Sequence, residues 1–312
     1  MKKGNVRYTI GTDPEFFLKR HGKFISAIPF IGNEEVGTKY NPLPLTTIKG
    51  GSLQRDNVAL EFASPPAKTK EEFVENIRAC LREINAYIPK DTTLEAVPSA
   101  RFTASELKHP EAKQFGCDPD FDAWRVQQNE RPECDDPRFR SCGGHIHVGG
   151  LDDEGNPIKD MEFLLKFEGK INLVKAMDIM VGIPATILDN SKEAVARRKL
   201  YGKAGCHRIT EYGVEYRTLS NFWLKTPELV MLIYSLTGDA IKLVKSGLLD
   251  DLINTISAEE IIRVINAGDA SAAMKLMTAH LVQFMSQESI ELFKMCYEKL
   301  PNVKTLSAEW GL

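Results

Sequence analysis

Residues 140–150, RSCGGHIHVGG, set two histidines one residue apart inside an alternating, β-prone run flanked by paired glycines. Side chains on a strand alternate faces, so His145 and His147 point the same way. Gly143, Gly144, Gly149 and Gly150 leave the backbone bare on both sides, which lets a ligand or a second strand approach closely. This pattern suits a site more than a core strand.

The same spacing recurs elsewhere. Asp13 and Glu15 in GTDPEFFL share a face, as do Glu215 and Arg217 in YGVEYRTL. In NVALEFASPP, Glu61 faces away from its neighbours Leu60 and Phe62. Alternating charge usually marks the solvated side of a half-buried antiparallel strand, and any one pair alone is read that way. A solvated strand face commonly carries lysine, whereas these strands carry acids, histidines and one arginine, the set that hard cations and phosphates require. Converging carboxylates repel one another and take up protons unless a cation sits among them, so Mg²⁺ or Mn²⁺ is the expected companion. Arg197, Arg198, Lys199, Lys203 and Arg208 precede the Glu215 strand; such a basic run is ordinarily solvated surface, but beside a metal site it serves phosphates.

Around these residues the chain reads as α+β. NVRYTIGTDPEFFLKRHGKFISAI forms a hairpin turning at Arg20–Lys23, and residues 32–53, rich in glycine and proline, form an irregular loop. Thr69 and Glu72 fit a capping box ahead of an amphipathic helix over 70–88, ended by Pro89. A strand near 93–98 and an irregular stretch over 105–138 lead to the histidine strand, 142–149, after which Asp160 caps a helix through Met180. Thr226-Pro227-Glu228 opens a C-terminal part of three helical segments running to about residue 299, punctuated by Gly238, Gly247 and Gly268. The division expected is 1–225 for the catalytic unit and 226–312 for a helical layer packed on it.

The formal charge of −3 gives no electrostatic case for nucleic acid or a membrane surface as partner. No leader-like segment opens the chain and no run of about 18 apolar residues is evident, so a cytoplasmic protein with six reduced cysteines is expected. Cys142-x2-His145 raises a zinc reading, but a three-residue offset puts the thiol on the opposite strand face. Walker A, Rossmann and GxSxG patterns are not found.

Taken in order over residues 8–225, GTDPEFFL, DNVALEFASPP, GCDPDFDAW, GGHIHVGG, RRKLYGKAG and YGVEYRTLSNFWL resemble the motifs of the phage-type carboxylate–amine ligases, or type 2 amidoligases. More distantly the set is similar to glutamine synthetase and the glutamate–cysteine ligases. The resemblance implies a curved antiparallel sheet of the glutamine synthetase catalytic-domain type with flanking helices, enclosing a site for ATP and Mg²⁺ or Mn²⁺. It implies Asp13, Glu15, Glu61, His145 and Glu215 as metal ligands and His147 as a group near the ATP phosphates. Arg217 then contacts the transferring phosphoryl group, with Arg198 and Arg208 as further catalytic or phosphate contacts. Asp13 departs from the Glu-x-Glu of glutamine synthetases and shortens the reach by a methylene.

The reaction so implied is ATP-dependent amide or peptide bond formation through an acyl phosphate, with small-molecule or peptide carboxylates and amines as substrates. Asp118 or Asp120 would accept the amine proton. A homo-oligomer, located in the host cytoplasm if the chain is phage-encoded, fits the same resemblance. The alternatives are a metal-dependent hydrolase or nuclease built on the same acids and histidines, and a nucleotide-binding protein without turnover.

Overall fold

The computed structural model describes residues 7–113 and 120–312. Its strands are, in chain order, β1 (Thr9–Thr12), β2 (Glu15–Arg20), β3 (Lys23–Ile25), β4 (Leu43–Pro44), β5 (Ser52–Asp56), β6 (Ala59–Ala63) and β7 (Thr92–Glu95). Next come β8 (Ser99–Arg101), β9 (Phe121–Asp122), β10 (Gln127–Gln128), β11 (Phe139–Ser141), β12 (Ile146–Gly149), β13 (Cys206–Ile209) and β14 (Gly213–Tyr216). The first sheet runs β1-β12-β14-β13-β9-β10 and the second β3-β2-β6-β5-β4, with β7 also on β2; β11 and β8 make a separate pair. The recorded pairings are antiparallel, in keeping with the expected α+β class. Backbone bonds from Ser64 N to Thr12 O, and between Ile10 and Ala67 in both directions, join the far side of β1 to the chain leaving β6, so the two sheets are stitched together.

Pro14 is where the chain passes from one sheet to the other. A proline has no N–H for a ladder, so β1 ends at Thr12 and β2 begins afresh at Glu15. The hairpin expected here is β2–β3, turned by His21 (φ 48°) and Gly22 (φ 77°), whose left-handed backbone matches a tight primed turn. A second hairpin, β5–β6, turns through Asn57 (φ 56°) and occupies part of the segment read as loop.

Helix α1 (Lys70–Tyr87) starts where Thr69 accepts from the Glu72 N–H, while the Glu72 carboxylate reaches back to Lys68 N, one residue before the cap. Its buried face, including Phe73, Ile77, Leu81 and Ile84, joins the main core. The helix expected from Asp160 to Met180 is corrected. Residues Lys159–Leu165 form 3₁₀ turns, α2 covers Phe167–Met177, a π turn covers Asp178–Gly182, and α3 covers Ile183–Leu188. Asp160 instead accepts from Arg7 N and pairs with Lys245. Phe167–Leu188 is, by length and composition, apolar enough to span a bilayer despite interruptions at Glu168, Lys170, Lys175 and Asp178; it lies mostly buried inside the protein.

After α4 (Lys192–Leu200), the C-terminal helices are more numerous than expected: α5 (Pro227–Ser246), α6 (Leu249–Ile256), α7 (Ala258–Ala267), α8 (Ala270–Leu276), α9 (Gln287–Lys299) and α10 (Leu306–Trp310). Thr226 caps α5 and Gly247 ends it in the left-handed conformation, as the sequence predicts. Gly238 does not punctuate a helix: it sits inside α5, where a β-carbon would press on the Tyr8 hydroxyl. One apolar cluster spans Ile10, Phe62, Phe73, Ile146, Tyr216, Trp223, Leu236 and Trp310, so strands, α1, α5 and α10 share a core.

Candidate active site

Register brings four strands of the first sheet into one line. Gly11 pairs with His147, His147 with Glu215, and Glu215 with Arg208. Gly11 contributes no side chain to that row, which leaves room for Asp13 at the end of β1. Asp13 Oδ1 lies 3.0 Å from His147 Nε2 and 3.2 Å from His145 Nδ1. Asp13, His147 and Glu215 offer ligand atoms within 4.8 Å of one another, a set fit to hold a cation.

In the second sheet Glu15 pairs with Glu61, and Glu61 with Gln54. Asp56, two residues beyond Gln54, shares its face. Glu15, Asp56 and Glu61 form a second ligand set of the same compactness. Asp13 and Glu15 thus serve different sets, because Pro14 sends them to different sheets. Asp56 escapes sequence reading, since it falls between the loop expected over 32–53 and the strand NVALEFA; the Asp56-Asn57 turn is the available signal.

The two sets differ in charge state. Burial raises the carboxyls of Glu15, Asp56 and Glu61, and mutual repulsion adds to it: Glu15 is pushed up to about 8, mainly by burial and next by the charge of Asp56. Burial also opposes ionisation of Asp13 and Glu215, but His147 and His145 hold Asp13 far below its ordinary value, and Arg217 leads in holding Glu215 down. Three half-buried carboxyls that repel in this way are the donor set a divalent cation would ionise and bridge, and oxygen donors with one imidazole suit Mg²⁺ or Mn²⁺.

His145 is not on the strand proper, since β12 begins at Ile146. Its ring folds back over Gly143, where any β-carbon would collide with Nε2. Burial and the Arg217 charge lower its basicity, while Asp13 raises that of His147 against burial. His147 Nδ1 lies 2.6 Å from the Tyr212 hydroxyl. His147, implied as a phosphate neighbour, lies within the Asp13–Glu215 set, and His145, implied as a ligand, lies against the same two acids, its Nδ1 3.5 Å from Glu215 and 3.3 Å from the Arg217 guanidinium.

Arg217 is buried at 6% exposure, donates to Glu215, and lies 3.7 Å from Asp120 through Nε. Arg208 Nη1 stands 3.7 Å from Glu215. Arg198 is not brought to the site. Its guanidinium bonds Asp189 instead, through the main-chain oxygen and the carboxylate, and its neighbour Arg197 faces the site. Adjacent residues on α4 point about 100° apart, so only one of the two can face the cavity. Asp118 lies outside the described residues. Cys142 is fully buried among Phe17, Val58 and Phe102 and belongs to neither ligand set.

Two cavities meet here. One, of about 860 Å³, is lined by Asp13 and His147 of the first set, by all of the second set, and by Arg208, Tyr212 and Arg217. The other, of about 640 Å³, opens between Tyr40, Arg140, Arg197 and Tyr201. Glu15, Lys39, Asp56, His145 and Arg217 line both, and so form the wall between them.

Lys39 is held by a loop whose far end is anchored on α1. Glu83 there accepts from the backbone N–H and hydroxyl of both Thr46 and Thr47. Behind β14, the buried Asp178 accepts from Trp124 Nε1, Gly205 N, Tyr216 OH and Thr218 Oγ1. Tyr216 and Thr218 flank Arg217, so Asp178 braces the strand that presents Glu215 and Arg217.

No curated protein matches the sequence. Among solved structures the chain is similar to a bifunctional glutathione synthetase from Pasteurella multocida at 11% identity and a TM-score of 0.41, over 97% of this chain and 54% of that one. The chain thus spans about half the length of that enzyme. It is also similar to apo GmaS without ligand (12% identity, TM-score 0.40, 92% and 72% coverage) and to a novel glutamine synthase homolog (11%, 0.37, 95% and 71%). The family model described as phage phiEco32-like COOH·NH2 ligase-type 2 matches residues 137–310, more than half of the sequence. The chain belongs to this phage phiEco32-like COOH·NH2 ligase type 2 family.

Proposed function

We propose that the protein is an ATP- and Mg²⁺-dependent carboxylate–amine ligase that forms an amide or peptide bond through an acyl phosphate. The observation that carries this reading is the pair of compact acid sets, one holding an imidazole, whose members other than Glu215 line a single cavity walled by Arg217 and Lys39. Asp13, His147 and Glu215 would hold one divalent cation, and Glu15, Asp56 and Glu61 a second. The cations would supply charge neutralisation to the phosphates.

The larger cavity takes the nucleotide and the smaller one the acid, so that the reacting carboxylate meets the γ-phosphate at their common wall. A carboxylate oxygen attacks phosphorus and ADP leaves. The amine nitrogen then attacks the acyl carbon, phosphate departs, and the amine proton passes to Asp120. Arg217 and Arg208 stabilise the charge spread over the transferring group, and His145 orients Asp13 and Arg217. Arg197, rather than Arg198, is the arginine of α4 assigned to this site.

Incubating the purified chain with ATP, Mg²⁺ and mixed acids and amines tests the reading. ADP release that requires both an acid and an amine supports ligation. Phosphate-ester cleavage without ATP would make it a hydrolase, and nucleotide binding without turnover would make it a binding protein.

A further inference from the structure

The smaller cavity has a character and an extent that a single small acid does not use. Lys39, Arg55, Arg131, Arg140, Arg197 and Arg217 line it, against four carboxylates, Glu15, Glu34, Asp56 and Glu111. The last of these is bound bidentately by Arg55, and Glu15 and Asp56 belong to a ligand set. Arg197 stands out. It is 2% exposed, donates only to main-chain oxygens of Thr218 and Arg217, and its Nε has no hydrogen-bond partner. The charges of Glu15 and Asp189 lie nearby, but a guanidinium taken out of water whose hydrogen bonds go to carbonyls alone keeps a donor for an anion. Arg140, 7% exposed and bonded to Asn57 and to three carbonyls, lines the same wall.

The cavity does not end there. Arg131, Pro132, Leu200 and Tyr201 line both it and a third cavity of about 460 Å³, which reaches the edge strand β10. β10 is last in its sheet, with Gln127 and Gln128 exposed. Pockets of about 300–1,000 Å³ enclose drug-sized ligands, so 640 Å³ leading into 460 Å³ is space for several residues.

Resting on the ligase reading above, we infer that the acid substrate is a peptide-like oligomeric anion. Its reacting carboxylate lies at the Glu15–Arg217 wall, a second anionic group lies on Arg197, and the remainder runs past Tyr201 along β10.

The test measures ADP release with ATP, Mg²⁺ and hydroxylamine as a generic amine, using glutamate or tri-glutamate as acid, in the wild-type chain and in Gln128→Trp. Expected is a kcat/KM at least tenfold higher for tri-glutamate, and a loss in Gln128→Trp at least fivefold greater for tri-glutamate than for glutamate. Equal or better use of glutamate by the wild-type chain overturns the inference and leaves the ligase reading standing. So does a Gln128→Trp loss that is the same for both acids. Release with neither acid removes the ligase reading and this inference with it. The wild-type comparison decides even if the variant fails to fold.

Discussion

Asp178 allows a quantitative test of how the site strand is braced. The residue is fully buried, and burial outweighs its four donors and pushes its carboxyl up to about 7 from an ordinary 3.8. The donors divide by type. Trp124 Nε1–H and Gly205 N–H, both 2.6 Å away, reach Oδ2 and can only donate, whereas the Tyr216 and Thr218 hydroxyls on Oδ1 can also accept. Asparagine fits this division with its oxygen toward the two N–H groups and its NH₂ toward the two hydroxyls. Asp178→Asn should therefore cost about 1 kcal/mol or less at low pH. Asp178→Ala strands two obligate buried donors at about 1–3 kcal/mol each, for a total on the order of 2–6 kcal/mol. The pH dependence separates the variants further. Between about pH 4 and 7 the unfolded chain has lost this proton and the folded chain retains it, so wild-type stability falls as pH rises. At about 1.4 kcal/mol per pH unit the fall is on the order of 4 kcal/mol, and Asp178→Asn lacks it. Urea unfolding of the two proteins across pH 4–8 reads the difference directly, since other titrating groups cancel. Parallel curves would refute the reasoning.

Three further outcomes follow from the site. Asp56→Ala removes one of three carboxylates and should weaken Mn²⁺ binding more than tenfold by titration, with the fold intact by circular dichroism. Arg217→Lys keeps the charge but loses the planar fork that meets Glu215 and Asp120; ligation should fall at least a hundredfold, and near-normal turnover would take Arg217 out of phosphate contact. Burial alone would raise the Glu83 carboxyl, but the donors of Thr46 and Thr47 hold it down to about 2, so its stabilisation is complete above about pH 4.5 and is lost as pH falls toward 2. Glu83→Ala should free the loop carrying Lys39 and speed limited proteolysis within residues 38–49.

Local signals carried the parts of the fold that neighbours along the chain decide. Thr69 and the spacing from Phe73 to Ile84 specify α1, and Thr226-Pro227 with Gly247 specify α5, because capping and amphipathic period are properties of a few consecutive residues. The segment from Asp160 to Leu188 defeated the same reasoning. Its π turn places Asp178 against Trp124, Gly205 and Tyr216, partners supplied by distant parts of the chain, and no local pattern encodes them. Gly238 is a comparable case, since its smallness answers to Tyr8 on a distant part of the chain. In the site, alternation selected Asp13, Glu15, Glu61, His145, His147, Glu215 and Arg217; all but Glu215 line the larger cavity, and Glu215 is paired with His147 beside it. Alternation could not choose between Arg197 and Arg198, which requires knowing how α4 is turned.

The acid-x-acid spacing shows how one proline changes what a motif builds. Along an uninterrupted strand, Asp13 and Glu15 would stand about 6.6 Å apart on one face and compete for the same cation. Pro14 ends the ladder instead, and the chain crosses from β1 to β2 between them. Asp13 then meets His147 and Glu215, whose strands are set by register on β1 for β12 and on β12 for β14, while Glu15 meets Glu61 and Asp56 through its own pairing on β6. The separation also divides the electrostatics. The first acid is kept ionised by two imidazoles, while the second is left among carboxylates with Arg217 and Arg197 farther off, so the two sets must differ in the affinity with which they recruit a cation. Metal titration should accordingly show two steps, the set around Glu15 releasing protons as it fills and the set around Asp13 releasing few, and a single step without proton release would mean that the sheets do not divide the acids in this way.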